Sequence, residues 1–462
     1  MSLLMNQLTN KFPNRIWPGR IPTAIIVVLF SLLLSACETS TSPLPLSSET
    51  QTPEVLSPTA IPTREGTPNL DGEHISLYFL CGQSGPFAEL NLTKIMAARD
   101  MVSYINENGG IFGAQIDLQV ADTGGIAEVA ISAYERISRL DQDIPLVLLC
   151  DAESENALAE SLQADSLPAL GPGLADRAYF EGENKRLYAF NVAVDQHFAL
   201  WIDYLVGHWD DIKPLGAGDE IRLALISEQT GGSELSGNLA ALTYAEGLGV
   251  EIVDQIPVSA SPNPNLYDAV YRARDVNANV IYIQSHSPST AELLNALNAL
   301  GLRERVIVSG PSHTFEASLL PYLLVSSNAS GTYQTISTTW WSDGDNPAIK
   351  LAAEIFNSNS RLEESKDSAY LITLGAVDIA LHAFEEAIFS VGYENLDAEA
   401  LNASLSQLTD YRVLHGLFVV NYSSGNHLLD SLQVMIMGDN PANLTSIQDF
   451  AVAPYLDFEV EE

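Results

Sequence analysis

Short apolar runs alternate with segments of helical spacing along most of the chain. Apolar runs of about four to eight residues are typical of buried strands, and apolar positions three and four residues apart indicate an amphipathic helix. The pattern predicts strands over Ile75–Cys81, Gln115–Ala121, Pro145–Cys150, Leu187–Val192, Ile221–Ser227, Glu251–Pro257, Val280–Gln284 and Val306–Ser309. It predicts helices over Glu89–Asn106, Ile126–Leu140, Asp151–Ala164, His197–His208, Ser233–Leu248, Asn265–Val276 and Thr290–Leu300.

This alternation predicts βαβ units, because strands separated by helices of roughly 10–15 residues form a mainly parallel sheet. Two such series follow one another, so we predict an α/β fold with two doubly wound parallel-sheet lobes. Ligands of such sheets bind beyond the carboxyl ends of the strands. The loops at those ends are therefore the candidate site.

The N-terminal segment has a different pattern. Three basic side chains lie within the first 20 residues, before an apolar run that contains Pro22 and ends in Leu34-Ser35-Ala36-Cys37. A basic region followed by a short apolar region is typical of a secretory signal, and the run is short for a membrane span of roughly 20 residues. Its end resembles the lipobox of bacterial lipoproteins. We predict a lipoprotein signal peptide over residues 1–36 and lipidation of Cys37; an uncleaved anchor is the alternative.

Residues 37–72 are rich in Ser, Thr and Pro and lack apolar periodicity. Such a segment cannot bury enough apolar surface to offset its ordering entropy, and we predict a disordered tether. The chain that follows, about 390 residues, is too long for one ordinary core and suits two lobes.

The charge and the motifs exclude several classes of function. Loss of three positive charges with the signal peptide takes the formal net charge from −38 to −41. A surface with this much negative charge repels nucleic-acid phosphates. We therefore predict no nucleic-acid partner. The sequence has no nucleophile elbow, phosphate-binding loop or paired-His zinc helix, and its eight His residues lack metal-ligand spacing. We predict neither an enzyme nor a metal or cofactor site.

Four stretches carry motifs of one known family: Gln83–Ala88, Ile105–Gly113, Gly375–Asp378 and Gly416–Asn421. These stretches and their order along the chain resemble the branched-chain amino-acid-binding proteins of ABC transporters, the relatives of the leucine-binding protein. The resemblance covers residues 74 to about 440. The stretch Asn-Glu-Asn-Gly-Gly-Ile-Phe-Gly is the most specific of these motifs.

The resemblance implies a type I periplasmic binding protein fold with three chain crossings between the lobes, which we place near Val194, Gly331 and Tyr422. The first lobe would comprise residues 73–194 and 332–422, and the second lobe residues 195–331 and 423–462. Proteins of this kind close on a ligand by a hinge motion and deliver it to a permease. A lipid anchor fits that role because it keeps the binding protein near the membrane.

The resemblance also implies a ligand pocket built from loops at the strand ends. The candidate residues are Ser84, Asp151, Glu153, Ser154, Ser285, His286, Ser312 and Tyr370. Tyr370 would be an aromatic wall. A helix-capping role for Ser84 and a solvated surface position for His286 are the alternatives to ligand contact.

The loop after the third strand departs from the family, which holds a ligand carboxylate there with Ser and Thr. Asp151 and Glu153 would repel a carboxylate, by roughly 4 kcal/mol per pair at 4 Å with an effective dielectric near 20. If they face the ligand, it carries an amine or amide and no dominant negative charge. The alternative is that Asp151, with Ser154 nearby, caps the helix that follows.

Cys81 and Cys150 are candidates for a disulfide. Each ends an apolar strand, and the first and third strands are neighbours in a sheet of order 2-1-3-4-5. Adjacent strands lie about 4.8 Å apart, which is compatible with the Cα separation of roughly 4.4–6.8 Å that a disulfide needs. Export permits the bond; two free buried thiols are the alternative.

Together these features predict a lipid-anchored binding protein on the extracytoplasmic face of the bacterial cell membrane. It would capture a small polar ligand, an amino acid or an amide-like solute, for an ABC permease, and would contact the membrane through its N-terminal lipid. A sensory or regulatory lipoprotein that uses the same fold to bind a partner protein is the alternative.

Overall fold

A computed structural model describes residues 66–456 except 86–87, 141–143, 183, 230–234, 236, 260–263 and 440–442. The predicted signal peptide, the lipidation site Cys37 and nearly all of the predicted tether lie outside the described residues. The strands are β1 (His74–Leu80), β2 (Gln115–Ala121), β3 (Val147–Leu149), β4 (Ala169–Gly171), β5 (Leu187–Ala189), β6 (Ile221–Gln229), β7 (Val250–Ser259), β8 (Val280–Gln284), β9 (Ile307–Pro311), β10 (Tyr333–Ile336), β11 (Tyr411–Val413), β12 (Phe418–Val420), β13 (Ser431–Met437) and β14 (Leu444–Val452).

Eleven α-helices are present within the described part of the chain. They are α1 (Ala88–Glu107), α2 (Ala127–Leu140), α3 (Ala152–Ala164), α4 (Val194–Gly207), α5 (Trp209–Ile212), α6 (Leu239–Gly247), α7 (Tyr267–Asp275), α8 (Ser287–Ala299), α9 (Pro347–Ser358), α10 (Ser368–Val391) and α11 (Ala398–Leu405). Over the described residues, no helix has the length and apolarity that a membrane span requires.

The first lobe is built on a parallel sheet of order β2-β1-β3-β4-β5. This is the order that places the first and third strands side by side. Helices α9 and α10 come from the C-terminal half of the chain and pack against α1, and α11 packs against α10. The first lobe therefore joins two distant parts of the sequence.

The second lobe is built on a seven-stranded sheet of order β14-β13-β10-β9-β8-β6-β7. Its strands β6 to β10 are parallel, whereas β13 and β14 add to one edge in antiparallel pairing. Helix α4, the first element after the first-lobe sheet, packs against β9, β10 and β13. The prediction of an α/β fold with two doubly wound lobes is confirmed.

Two crossings between the lobes lie further along the chain than the sequence predicted. Gly331 begins a turn with φ +71°, and β10 then pairs with β9, so the chain leaves the second sheet after Ile336. After Tyr422 the chain still contacts the first lobe, where the His427 ring bonds to the Leu187 carbonyl oxygen. The return to the second sheet therefore comes just before β13.

Cys81 and Cys150 follow the paired residues Leu80 and Leu149 at the ends of β1 and β3. Their Cα atoms are 5.2 Å apart and their sulfur atoms are bonded. Both residues are buried in the first-lobe core. The bond therefore fixes the two strand ends from which two loops of the candidate site begin.

We predict that replacing both Cys81 and Cys150 by Ala lowers the free energy of unfolding by about 2–4 kcal/mol, because the unfolded chain regains the entropy of an open loop. The bond spans 69 positions of sequence. Urea denaturation of the exported protein, followed by tryptophan fluorescence, measures the difference. Reduced wild type is the control and should unfold at nearly the same urea concentration as the variant. Equal stability of oxidised wild type and variant would contradict the prediction.

Candidate functional site

The loop after β1 is held by a carboxylate from the neighbouring strand end. Asp122 Oδ1 accepts hydrogen bonds from the N–H groups of Gln83, Ser84 and Gly124 at 2.8, 3.1 and 2.9 Å. Burial raises the pKa of Asp122, but the bonds from Ser84 and the backbone outweigh it and lower the pKa below the ordinary value. Ser84 is exposed. Gly85 has φ +84°, and a Cβ there would collide with the Gly124 carbonyl oxygen.

Three acidic residues follow β3, and their carboxylates make different contacts. Asp151 caps α3 through the Ser154 N–H at 2.8 Å, and Glu153 contributes to the electrostatic surroundings of Lys94. Glu155 is fully buried and accepts bonds from the N–H groups of residues 173, 174 and 175 at 3.0, 2.6 and 2.9 Å. Burial raises the pKa of Glu155 to about 7, against the effect of these bonds. Asp151 therefore caps α3 and also acts on the pKa of Lys94.

Lys94 is a cation next to the acidic loop, and the sequence analysis did not predict it. It projects from α1, and its Nζ donates to the Cys150 carbonyl oxygen at 2.7 Å and to Asn91 Oδ1 at 3.2 Å. Burial lowers the pKa of Lys94, while four carboxyl groups act in the opposite direction. In decreasing order of effect these belong to Asp151, Asp367, Glu153 and Glu316. No motif surrounds Lys94 in the sequence, so only the packing of α1 against the end of β3 reveals it.

Glu316 brings a carboxyl group of the second lobe to the first. It follows the loop after β9, is buried, and accepts a bond from the Ser368 N–H in the first turn of α10 at 3.1 Å. Asp367 caps the same helix through the Tyr370 N–H at 2.9 Å. Burial and the neighbouring carboxyl group raise the pKa of Glu316 well above its ordinary value. Two buried acids from opposite lobes thus meet at one helix terminus.

A second buried acid of the second lobe, Glu228 in β6, organises the loop that contains His286. Its carboxylate accepts bonds from the His286 N–H at 2.9 Å and from Ser289 Oγ at 2.9 Å, and it contacts His286 Nδ1 at 2.7 Å. Burial raises the pKa of Glu228, but the bonds from His286 and Ser289 hold it below the ordinary value. The His286 ring lies 5.8 Å from that of His313, whose surroundings include Lys94.

The other predicted serines of the second lobe are internal. Ser285 is buried and its Oγ lies 2.8 Å from Thr290 Oγ1 in the first turns of α8. Ser312 is also buried, at the end of β9. Ser154 is buried in the first lobe, and its Oγ has no hydrogen-bond partner among the described residues.

Tyr370 does not form a cleft wall, in contrast to the prediction from the resemblance. Its side chain is fully buried, its hydroxyl donates to Asp100 Oδ2 at 2.7 Å, and its ring packs against Trp341 and Phe356. Arg361 binds the same Asp100 carboxylate. Tyr370 therefore fastens α10 to α1 and α9 inside the first lobe.

Several buried polar atoms near the crossings also have no hydrogen-bond partner within the described part of the chain. They include both amide atoms of Gln334 in β10, Oε1 of Gln196 in α4 and Oγ1 of Thr338 just beyond β10. Buried polar groups are ordinarily paired with protein, ligand or ordered water. These unpaired donors and acceptors belong to β10 of the second-lobe sheet, to the helix α4 that packs on it, and to the segment just after β10.

The structure brings together only part of the predicted set. Asp151 and Glu153 contribute to the surroundings of Lys94 with Glu316 and Asp367, and His286 lies on the second lobe with Glu228. Ser285 and Tyr370 are occupied by contacts within their own lobes. Among the described residues, no group of three or more His, Cys, Asp or Glu side chains could hold a metal ion.

We predict that Asp367→Asn becomes more stable relative to wild type as the pH rises from about 4 to about 7. Burial raises the pKa of Asp367 to about 7. An acid whose pKa is higher in the folded state makes wild type lose stability over this pH range. Asparagine can still cap α10 but does not titrate.

Urea denaturation across the pH range measures the difference between the two proteins. The control, Asp345→Asn, removes an exposed carboxylate. Its free energy of unfolding should differ from that of wild type by a nearly constant amount at every pH. If the free energy of unfolding of Asp367→Asn also differed from that of wild type by a constant amount, the pKa of Asp367 would not be perturbed by burial.

Comparison with known proteins agrees with the fold. A profile of the periplasmic binding protein family matches residues 75–435. A branched-chain amino acid ABC transporter protein from Thermus thermophilus, with bound valine, aligns with a TM-score of 0.72 and 17% identity, over 83% of this chain and 98% of that chain. No curated protein sequence matches this chain.

Two further solved structures share the fold. A fatty acid ABC transporter substrate-binding protein from Thermomonospora curvata aligns with a TM-score of 0.66 and 17% identity, over 84% of this chain and 96% of that chain. A solute-binding protein from Rhodopseudomonas palustris BisB5, in complex with 3,4-dihydroxy benzoic acid, aligns with a TM-score of 0.66 and 12% identity, over 83% and 98% of the two chains. By its matched residues and its fold, the chain belongs to the periplasmic binding protein family.

Proposed function

We propose that this protein is a lipid-anchored binder that captures a small polar solute bearing an amine or amide group between its lobes for an ABC importer. The observation that supports this most strongly is the imbalance of charge around Lys94. The carboxyl groups of Asp151, Asp367, Glu153 and Glu316 all act on the pKa of the Lys94 ammonium group, against the effect of its burial. Because Glu316 belongs to the second lobe and accepts a bond from the Ser368 N–H of the first, this group of acids includes residues of both lobes.

The electrostatics favour an amine over a carboxylate in this space. Two unit charges 4 Å apart interact by about 4 kcal/mol at an effective dielectric near 20, so an added carboxylate would meet strong repulsion. A ligand ammonium would instead offset carboxylates that now share one lysine. Asp151 and Glu153 would then face the ligand while Asp151 also caps α3, as its bond to Ser154 permits.

The unpaired polar atoms extend the same argument to amides. Among the described residues, neither the two amide atoms of Gln334 nor the Ser154 hydroxyl group has a hydrogen-bond partner. An amide supplies one acceptor and up to two donors, which complements this set. Ser84 and His286, both at loops of the candidate cleft, are further proposed contacts.

The solved relatives leave the ligand open. One is described with valine, another as a fatty acid transporter protein and a third with 3,4-dihydroxy benzoic acid. One fold therefore hosts different ligand chemistries, and function must be argued from the residues of the site. For this chain those residues are predominantly acidic.

The alternative, a sensory or regulatory lipoprotein, is favoured by one observation. Polar groups of the cleft already bond to the protein itself: Lys94 to the Cys150 carbonyl oxygen and Glu316 to the Ser368 N–H. A regulator that binds a partner protein instead of a solute would show such internal pairing. A solute screen separates the two functions.

We predict that at least one amine or amide from a panel of amino acids, amides, polyamines and small carboxylates raises the melting temperature of the mature protein. A ligand at 100 times its Kd stabilises by about 2.7 kcal/mol. The double variant Asp151→Asn, Glu153→Gln should bind that ligand at least tenfold more weakly, because it removes two negative charges near the ligand.

The control, Glu304→Gln, removes an exposed charge and should leave the affinity unchanged. Differential scanning fluorimetry measures the melting temperature, and calorimetric titration measures the affinity. Tight binding of a dicarboxylate that the double variant retains would contradict the proposed charge preference. No stabilisation by any solute would favour the sensory alternative.

We predict that Cys37→Ser abolishes lipid attachment and leaves an unprocessed precursor. The cleaving peptidase acts next to a modified Cys, and the serine hydroxyl cannot replace the thiol that carries the lipid. Radiolabelled palmitate incorporation and the mass of the membrane-extracted protein measure the effect. The control, Cys81→Ser, should retain the lipid. Normal cleavage and lipid-dependent membrane retention of Cys37→Ser would contradict the proposed anchor.

A further inference from the structure

A second set of contacts between the lobes lies beside the chain crossings and shares no residue with the candidate site. It centres on the first-lobe loop between β4 and β5, which contains Arg177 and Glu181. We propose that these two side chains, with Tyr455 and Asp195, form an interlobe latch that favours the lobe arrangement of this structure and so sets the fraction of molecules with open lobes. The proposal concerns lobe movement and does not depend on which solute the cleft binds.

Tyr455 connects the end of the second-lobe sheet to this loop. It lies three residues beyond β14, the edge strand of that sheet. Its hydroxyl group donates to the Glu181 carboxylate and lies 2.8 Å from each of the two carboxylate oxygens. The Arg177 guanidinium group lies over the Tyr455 ring, with its carbon atom 4.6 Å from the ring centroid. Two first-lobe side chains therefore hold one side chain of the second lobe.

Arg177 also binds an acid in the helix that follows the first crossing. Its Nη2 donates to Asp195 Oδ2 in α4 at 3.0 Å, and only 18% and 10% of the two side chains are exposed. Helix α4 packs against β9, β10 and β13 of the second sheet, so this ion pair joins the lobes a second time. Partly buried pairs are screened by salt much less than exposed pairs. The contact should therefore persist at physiological ionic strength.

Backbone hydrogen bonds place the two sides of the latch on the same crossing segment. The Gly182 N–H, next to Glu181 in the chain, donates to the Gly425 carbonyl oxygen at 3.0 Å. On the other side, the Ala453 N–H donates to the Asp430 carbonyl oxygen at 2.6 Å. Both sides are thus positioned by the backbone of the return crossing. Loss of one latch side chain should therefore weaken the contact between the lobes without unfolding the loop.

A backbone N–H in α10 reports on the separation of the lobes. The Ser368 N–H donates to Glu316 of the second lobe at 3.1 Å, and Ser368 is buried. When the lobes separate, this N–H loses its acceptor and becomes accessible to solvent. The Tyr370 N–H in the same helix turn donates to Asp367 of its own lobe at 2.9 Å and should keep its bond. The two N–H groups therefore distinguish lobe opening from fraying of the helix.

Hydrogen–deuterium exchange of the full chain, followed by mass spectrometry at residue resolution, tests the latch. Exchange of such an N–H follows the population of the open state. Arg177→Gln removes the ion pair and the cation above the ring, and should raise the exchange rate of the Ser368 N–H about tenfold. Tyr455→Phe removes only the hydroxyl bond and should raise this rate about threefold. The Tyr370 N–H should exchange at the wild-type rate in both variants.

Tyr393→Phe is the matched control, because its hydroxyl group donates to the His74 carbonyl oxygen within the first lobe at 2.7 Å. It should leave exchange of the Ser368 N–H unchanged. If Arg177→Gln does not fold, the comparison of Tyr455→Phe with this control still decides the question, because each variant loses one hydroxyl bond near the surface.

Two outcomes would overturn the latch. Unchanged or slower exchange of the Ser368 N–H in Arg177→Gln and Tyr455→Phe would show that these contacts do not favour the lobe arrangement of this structure. Equally faster exchange of the Ser368 and Tyr370 N–H groups would show that the substitutions loosen α10 instead of opening the lobes. Faster exchange at Ser368 alone, in the order Arg177→Gln, Tyr455→Phe, wild type, would support the latch.

Discussion

The site depends on one electrostatic constraint: buried carboxyl groups from two lobes can approach each other only if positive charge or protons compensate them. Glu316 of the second lobe and Asp367 of the first meet at the N-terminus of α10, with Lys94 nearby. Burial raises the pKa of both acids. In the proposed function, closure of the lobes would therefore be coupled to the charge state of these acids, and a cationic ligand would favour closure.

The first lobe is built to hold its part of this site rigidly. The disulfide joins the ends of β1 and β3, and the carbonyl oxygen of Cys150 is the acceptor that fixes Lys94. Glu155 fastens the following loop through three backbone N–H groups, and Asp122 fastens the loop after β1. These contacts lie within one lobe, so they should persist when the cleft opens. Preorganisation of this kind lowers the conformational cost of binding.

The sequence predicted the fold well because alternating strands and helices constrain topology strongly. The strand order 2-1-3-4-5 followed from the fold class, and with it the proximity of Cys81 and Cys150. Crossings were harder to place, because the turn at Gly331 precedes another strand of the same sheet. Short strands such as β4, with three residues, carry too little periodicity to be recognised.

The site was less predictable, because it depends on the direction in which side chains point. Asp151 and Glu153 lie in a loop that the resemblance identifies. Lys94 lies within a helix, and Glu316 lies five residues beyond Pro311, the last residue of β9. Tyr370 begins a helix near the cleft, yet its ring faces Trp341 and Phe356. The sequence gives the residue types at these positions but not the face of the helix that each one occupies.

The most direct test of the acidic, amine-binding cleft is the number of protons exchanged on binding. Calorimetric titrations with 1,4-diaminobutane in buffers of different ionisation enthalpy measure that number. They are carried out between about pH 6 and 7, because this range lies at and below the pKa of about 7 for Asp367. The account predicts proton release, because the ligand ammonium replaces protons on Glu316 and Asp367. Binding without proton exchange, or with proton uptake, would contradict it.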